Sequence, residues 1–119
     1  ALVRDPNLSA ETPAENLPLG IPAAYWLDLR DYSPAQVTGE LNMPILILQG
    51  ERDYQVSLKD YEGWQVALDG RANVSFHLYP DLNHLFMSGA GPGSPAEYEI
   101  SGHVAEPVVN DIIDWVLAH

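Results

Sequence analysis

The sequence predicts an α/β fold: one βαβ unit with further helices flanking it. Three observations carry that reading. Met43-Pro44-Ile45-Leu46-Ile47-Leu48-Gln49 is an almost unbroken apolar run with isoleucine at alternate positions, the pattern of a strand covered on both faces in a parallel sheet. Leu58, Tyr61, Trp64 and Leu68 recur at the three-to-four-residue interval of an amphipathic helix. Asn73 to Tyr79 then alternates through Val74, Phe76 and Leu78, the period of a second strand, before Pro80 breaks it. A helix between two strands is the connection that parallel pairing requires.

The elements follow in chain order. Residues 1–22 carry Pro6, Pro13, Pro18 and Pro22 among Ser, Thr, Asn and Glu, so they read as an irregular leader with room for little more than a helical turn. Tyr25, Trp26 and Leu29 fit a short helix over Ala23–Arg30 with one buried side. Ser33-Pro34 is an N-cap followed by proline at the first helical position, opening a turn or two that stop near Gly39. Pro44 is tolerated only at the start of the strand that follows, and Gly50 ends it. Ser57 can cap the next helix, with Asp60 placing negative charge in its first turn, and Gly70 closes it. Residues 81–103 have no periodicity and include Ser88-Gly89-Ala90-Gly91-Pro92-Gly93-Ser94-Pro95, a long loop of the kind that carries function. A closing helix from about Glu106 to Leu117 has Pro107 in its first turn and Val108, Ile112, Trp115 and Val116 as its apolar stripe.

Composition narrows the function. At 119 residues and 46% hydrophobic the chain can bury a core and is one domain's worth of sequence. Five Lys and Arg against seventeen Asp and Glu give a net charge of −12, and no Lys or Arg follows Arg71. Phosphate backbones and anionic bilayers are repelled by such a chain, so no nucleic-acid partner is expected. The longest strongly apolar stretch, Met43 to Leu48, is six residues, far short of the ~20 that span a membrane. The absence of cysteine removes disulfides, thiolate metal sites and thiol nucleophiles. Residue 1 is Ala, with no signal-like region after it, so the chain reads as a processed or excised piece.

In parallel α/β sheets ligands bind beyond the carboxyl ends of the strands. Two residues there have the chemistry for catalysis: Asp53, in Gly50-Glu51-Arg52-Asp53-Tyr54-Gln55-Val56, and His84, in Tyr79-Pro80-Asp81-Leu82-Asn83-His84-Leu85-Phe86. An Asp that accepts from one imidazole nitrogen fixes the tautomer and leaves the other nitrogen to take a proton from a hydroxyl. Their bland alternatives are an Asp capping a loop turn and a structural histidine. His77 reads as a solvated strand residue, His103 as a surface loop residue and His119 as a frayed terminus. His77, His84 and His103 have no short ligand spacing, which argues against a metal site. Arg52 reads as pointing into solvent, and the tryptophans with Tyr25, Tyr61 and Tyr79 as packing residues.

Pro44 to Gly50, Asp53, Val56, the following helix and strand, and Tyr79-Pro80 with His84 and Phe86 together resemble the C-terminal third of an α/β-hydrolase, over roughly residues 25–118. The nearest likeness is to the dienelactone-hydrolase and prolyl-oligopeptidase-like branch. The resemblance implies that 23–119 is the incomplete C-terminal segment of such a domain, holding the last two strands and last helix of its sheet. It also implies Asp53 as the triad acid and His84 as the general base of a serine hydrolase acting on an ester, thioester or amide, such as a small ester or a peptide. No metal or organic cofactor is implied. The family's G-x-S-x-G nucleophile elbow is absent: none of Ser9, Ser33, Ser57, Ser75, Ser88, Ser94 and Ser101 stands in one. The expected chain therefore carries acid and base without the nucleophile or oxyanion hole. Two strands with uncovered edges need a partner, either a second copy or the missing N-terminal part. The rival readings are a non-catalytic α/β binding module and a small α/β domain unrelated to hydrolases.

Overall fold

Gly39 and Arg71 fix where the sheet begins. The Arg71 guanidinium donates to the carbonyls of Gly39 and Leu41, and Asn73 Nδ2 donates to those of Leu41 and Met43 at 3.2 and 2.7 Å. The segment entering the first strand is thereby tied to the residues entering the second. In the computed structural model, which describes residues 2–119, β1 (Ile45–Gly50) and β2 (Val74–Tyr79) pair in parallel, from Ile45 opposite Val74 to Gly50 opposite Tyr79. The helix between them, α3 (Leu58–Ala67), starts where both the Ser57 backbone N–H and the Ser57 hydroxyl donate to Asp60 Oδ2, at 2.9 and 2.7 Å. It ends before Gly70, whose positive φ of 71° suits a residue without a side chain.

The chain divides into two compact units, one running to Pro34 and the other from Ala35 to His119. In the first, three single turns of 3₁₀ helix occupy the proline-rich stretch, followed by α1 (Ala23–Arg30). Its core is Leu8, Leu17 and Ala23, with Trp26 and Leu27 packed against them. The buried side of α1 is thus Ala23, Trp26 and Leu27. Tyr25 and Leu29, expected to be covered, are exposed, because the i, i+3, i+4 row centred on Trp26 is the one that meets Leu8 and Leu17. A short helix, α2, spans Pro34–Gly39.

In the second unit Tyr79, Leu82 and Val108 form the core, with Leu48, Phe86 and Ala105 against it. Tyr61 of α3 meets Phe76 of β2 edge-to-face at 5.7 Å. α4 (Glu106–Ala118) contributes Val108, which is buried, whereas Ile112 and Val116 of its expected stripe are exposed. Ile45 to Leu48, expected to be covered on both faces, are only half-buried. The two departures share a cause: among the described residues the sheet has two strands, and strands ~5 Å apart are too narrow a platform to cover a helix row or a central strand. Among the described residues no helix is long and apolar enough to cross a membrane.

Residues 81–103 are more ordered than their composition suggests. Leu82 and Ser88 form an antiparallel bridge, and Pro95–Glu99 is a 3₁₀ helix.

Leu68, 2% exposed at the end of α3, reports on this packing. Leu68→Ala is expected to destabilise the chain by about 2–5 kcal/mol, while Val66→Ala, at a position 79% exposed, shifts it by less than about 0.5 kcal/mol. Urea unfolding followed by circular dichroism measures both, and equal effects at the two positions would contradict the packing.

Candidate active site

Because Gly50 and Tyr79 are register partners, the loops that follow β1 and β2 leave the sheet side by side. Glu51 N–H donates to the Tyr79 carbonyl at 2.9 Å and Arg52 N–H to that of Leu82 at 3.0 Å. Gly50 makes the approach possible, since a Cβ there would collide with the carbonyls of Leu82 and Asn83.

The first loop turns on Asp53. Its Oδ1 accepts the N–H groups of Gln55 and Val56 at 2.8 and 2.9 Å, a local turn of the kind short polar side chains favour. Gln49, buried at the end of β1, donates Nε2 to the carbonyls of Gly50 and Val56 at 2.9 and 3.0 Å and lies 3.4 Å from Asp53 Oδ2. Sequence reasoning took Gln49 only as the end of the strand; the signal was a polar residue closing an apolar run.

The second loop turns on Asn83, which is 2% exposed. Its Oδ1 accepts the N–H groups of Leu85 and Met87 at 3.0 and 3.1 Å, and its backbone exchanges hydrogen bonds with Phe86 and Met87. Phe86 adopts φ = 54°, a costly conformation for a residue with a side chain, of order 1–3 kcal/mol. Its ring packs edge-on to Tyr79 at 5.9 Å, and Ala105 N–H donates to its carbonyl at 2.9 Å.

These two turns bring the predicted acid and base together: Asp53 Oδ2 and His84 Nδ1 are 2.7 Å apart. The Asp53 side chain is 6% exposed and that of His84 39%. Burial pushes the Asp53 carboxyl up, but hydrogen bonds from Val56 N–H, the His84 ring and Gln55 N–H outweigh it, so the group titrates below its ordinary value. An open groove of about 380 Å³ runs past both residues, lined also by Val56, Tyr61, Trp64 and Phe86. Tyr61 and Trp64 therefore line the groove as well as packing α3.

The other candidates lie elsewhere. His77 stacks on Tyr79 with ring centres 4.5 Å apart, and its Nδ1 lies 3.2 Å from Asp111 Oδ2, which also accepts the Tyr79 hydroxyl at 2.7 Å. It is engaged with α4 rather than simply solvated. His103 is exposed, and His119 Nδ1 lies 2.8 Å from the Trp115 carbonyl. Arg52 does not point into solvent: its side chain is 8% exposed and pairs with Glu97. The carbonyls of Gly91, Ala90 and Asp81, at 2.6, 3.3 and 3.4 Å, give its donors the partners that water would otherwise supply.

Compared with known proteins, the chain is 44% identical over 107 residues to a protein of Thermotoga maritima, Esterase EstD. This chain is related in sequence to an esterase. The match takes in 90% of the chain and 26% of the esterase, so the chain spans about a quarter of that relative's length. No family model matches the chain. No solved structure gives a significant match.

The Asp53 shift sets a pH dependence. A carboxyl that titrates lower in the fold than in the unfolded chain, where it sits near ~3.9, stabilises the fold above that value and ceases to do so as pH falls through the folded value. Asp53→Asn is expected to cost about 1 kcal/mol near neutral pH, with the two proteins converging below pH ~4. Urea midpoints measured from neutral to acid pH check this, and a gap that persists undiminished at the acid end would contradict it.

Proposed function

We propose that this chain supplies the acid and the base of a serine esterase, with Asp53 orienting His84 and His84 acting as general base and then general acid. The observation that carries the reading is the 2.7 Å contact between Asp53 Oδ2 and His84 Nδ1 at the ends of adjacent parallel strands. The 44% identity to an esterase gives it a reaction class.

With the Nδ1 proton held by Asp53, Nε2 is the nitrogen left to accept a proton. It takes one from a serine hydroxyl as that oxygen attacks the ester's acyl carbon, and the imidazolium that forms is stabilised by the Asp53 carboxylate. The same proton passes to the departing alkoxide, leaving an acyl-serine. Water then attacks the acyl-serine, giving its proton to Nε2, and the serine oxygen leaves with that proton, releasing the carboxylic acid. Thioesters and amides are open to the same steps.

The 119 residues hold no G-x-S-x-G, and Ser57, the serine nearest Asp53 in sequence, is committed to Asp60. The reading therefore assigns the nucleophile and oxyanion hole to residues outside this chain. On it, β1, β2 and α4 correspond to the last two strands and last helix of an α/β-hydrolase sheet, of the dienelactone-hydrolase and prolyl-oligopeptidase-like branch. The half-buried Ile45 to Leu48 support this, because an adjoining strand from the rest of the protein, or from a second copy, would cover them. The surplus of carboxylates favours neutral over anionic substrates.

The chain alone is expected to hydrolyse p-nitrophenyl esters no faster than background and to resist a serine-directed fluorophosphonate. The protein carrying the upstream residues should be labelled, and there Asp53→Asn should lower kcat by about 10⁴-fold and His84→Ala by about 10⁶-fold. An upstream-extended protein that takes no label and binds a ligand without turnover would make this a binding module instead.

A further inference from the structure

Arg52 precedes Asp53 and Asn83 precedes His84, and both neighbours reach one carboxylate. Glu97 Oε1 pairs with the Arg52 guanidinium, while Glu97 Oε2 accepts Asn83 Nδ2 at 3.1 Å. The 3₁₀ turn Pro95–Glu99 that carries Glu97 also touches the Asp53 loop directly, through Gln55 Nε2 donating to the Tyr98 hydroxyl at 2.8 Å and Tyr54 packing on Tyr98 with ring centres 5.7 Å apart. The result is a closed ring: Asp53 to His84 by their side chains, and Asp53 back to His84 through Arg52, Glu97 and Asn83. The Arg52 side chain and Asn83 are buried, while Glu97 and His84 keep part of their surface in water, so it is the donor side of the bridge that is shielded.

We infer that Arg52, Glu97 and Asn83 are positioning residues that hold the Asp53 and His84 loops in register, with Glu97 as the bridge. The meaning of that positioning for catalysis rests on the proposed esterase function. A carboxylate suits the bridge because both of its oxygens accept, and its two partners both donate. Held below its ordinary titration range by Asn83 and Arg52, it stays charged at neutral pH. An isosteric amide fails: with one oxygen and one NH₂ it must turn a donor toward Arg52 or toward Asn83. The turn that fixes His84 depends on Asn83 staying in place, since Asn83 Oδ1 gathers the N–H groups of Leu85 and Met87.

The readout is the tautomer of His84 in this chain, which needs no nucleophile. In a two-bond proton–nitrogen correlation on chain labelled with ¹⁵N-histidine, above the ordinary histidine range, His84 is expected chiefly with its proton on Nδ1. Glu97→Gln and Arg52→Met should each lower the ratio of Nδ1–H to Nε2–H tautomer about tenfold, the equivalent of one lost hydrogen bond. The double variant should lower it little further, because both changes open one ring. Leu68→Ala, which weakens the fold away from the ring, should leave the ratio as it is. The inference is overturned if folded Glu97→Gln keeps the parent ratio, if Leu68→Ala moves it equally, or if the parent shows no Nδ1–H preference. Should Arg52→Met not fold, Glu97→Gln alone decides. A protein that proves unable to cleave esters would still show the tautomer change, so the two readings fail separately.

Discussion

Two strands that run parallel and stop in step are the constraint on which the rest of this structure depends. With Gly50 opposite Tyr79, the chain leaves both strands at one end, and whatever follows is forced into proximity. The helix α3 serves that geometry: its length returns the chain to the start of the sheet so that β2 can run beside β1 in the same sense. The Arg71 and Asn73 contacts to the carbonyls of Gly39, Leu41 and Met43 do the complementary job at the opposite end. A slip of one residue in this pairing would move Asp53 relative to His84 by a full residue rise, ~3.3 Å. A displacement of that size would break the 2.7 Å contact between them.

Charge is the second organising feature. After Arg71 the chain has Asp81, Glu97, Glu99, Glu106, Asp111 and Asp114 and no Lys or Arg. A carboxylate that sits partly shielded in this stretch must find its donors among uncharged polar side chains, histidines or residues upstream, and Glu97 finds Arg52 and Asn83. Asp111 does so with the Tyr79 hydroxyl and the His77 ring. Burial first, and then the Asp111 carboxylate, push the Tyr79 hydroxyl far above its ordinary value, so it stays protonated and remains a donor. The acidic composition thus leaves marks on internal structure as well as on the surface field.

What could be read in advance follows a physical divide. Elements whose signal is local and periodic were legible: the apolar run of β1, the Leu58–Leu68 spacing of α3 and the Ser57 and Asp60 cap all stand where their residue types put them. The meeting of Asp53 with His84 was legible too, because topology alone brings the two strand ends together. Arg52 was misread because its partners lie 29 to 45 residues away in a stretch without periodicity. The exposed row of α4 and the half-buried β1 escaped for another reason. Periodicity shows which face is apolar, and only the width of the sheet determines how much of it is covered.

The glycine-rich segment has a consequence for how the sequence can vary. A Cβ at Gly89 would meet the Arg52 guanidinium, and one at Gly93 would meet the Arg52 carbonyl. These glycines are a mould around a single arginine, and the segment between them supplies two of the carbonyls that receive it. Substitutions at 89 and 52 are therefore not independent, whereas Gly93 faces a carbonyl that every residue at 52 would carry. A lineage that replaced the arginine with a short side chain would free position 89 to accept alanine or serine, and one that enlarged Gly89 first would have to move or lose the arginine. Across related sequences, the size of residue 52 and the smallness of residue 89 should drift together, while residue 93 stays small whatever stands at 52.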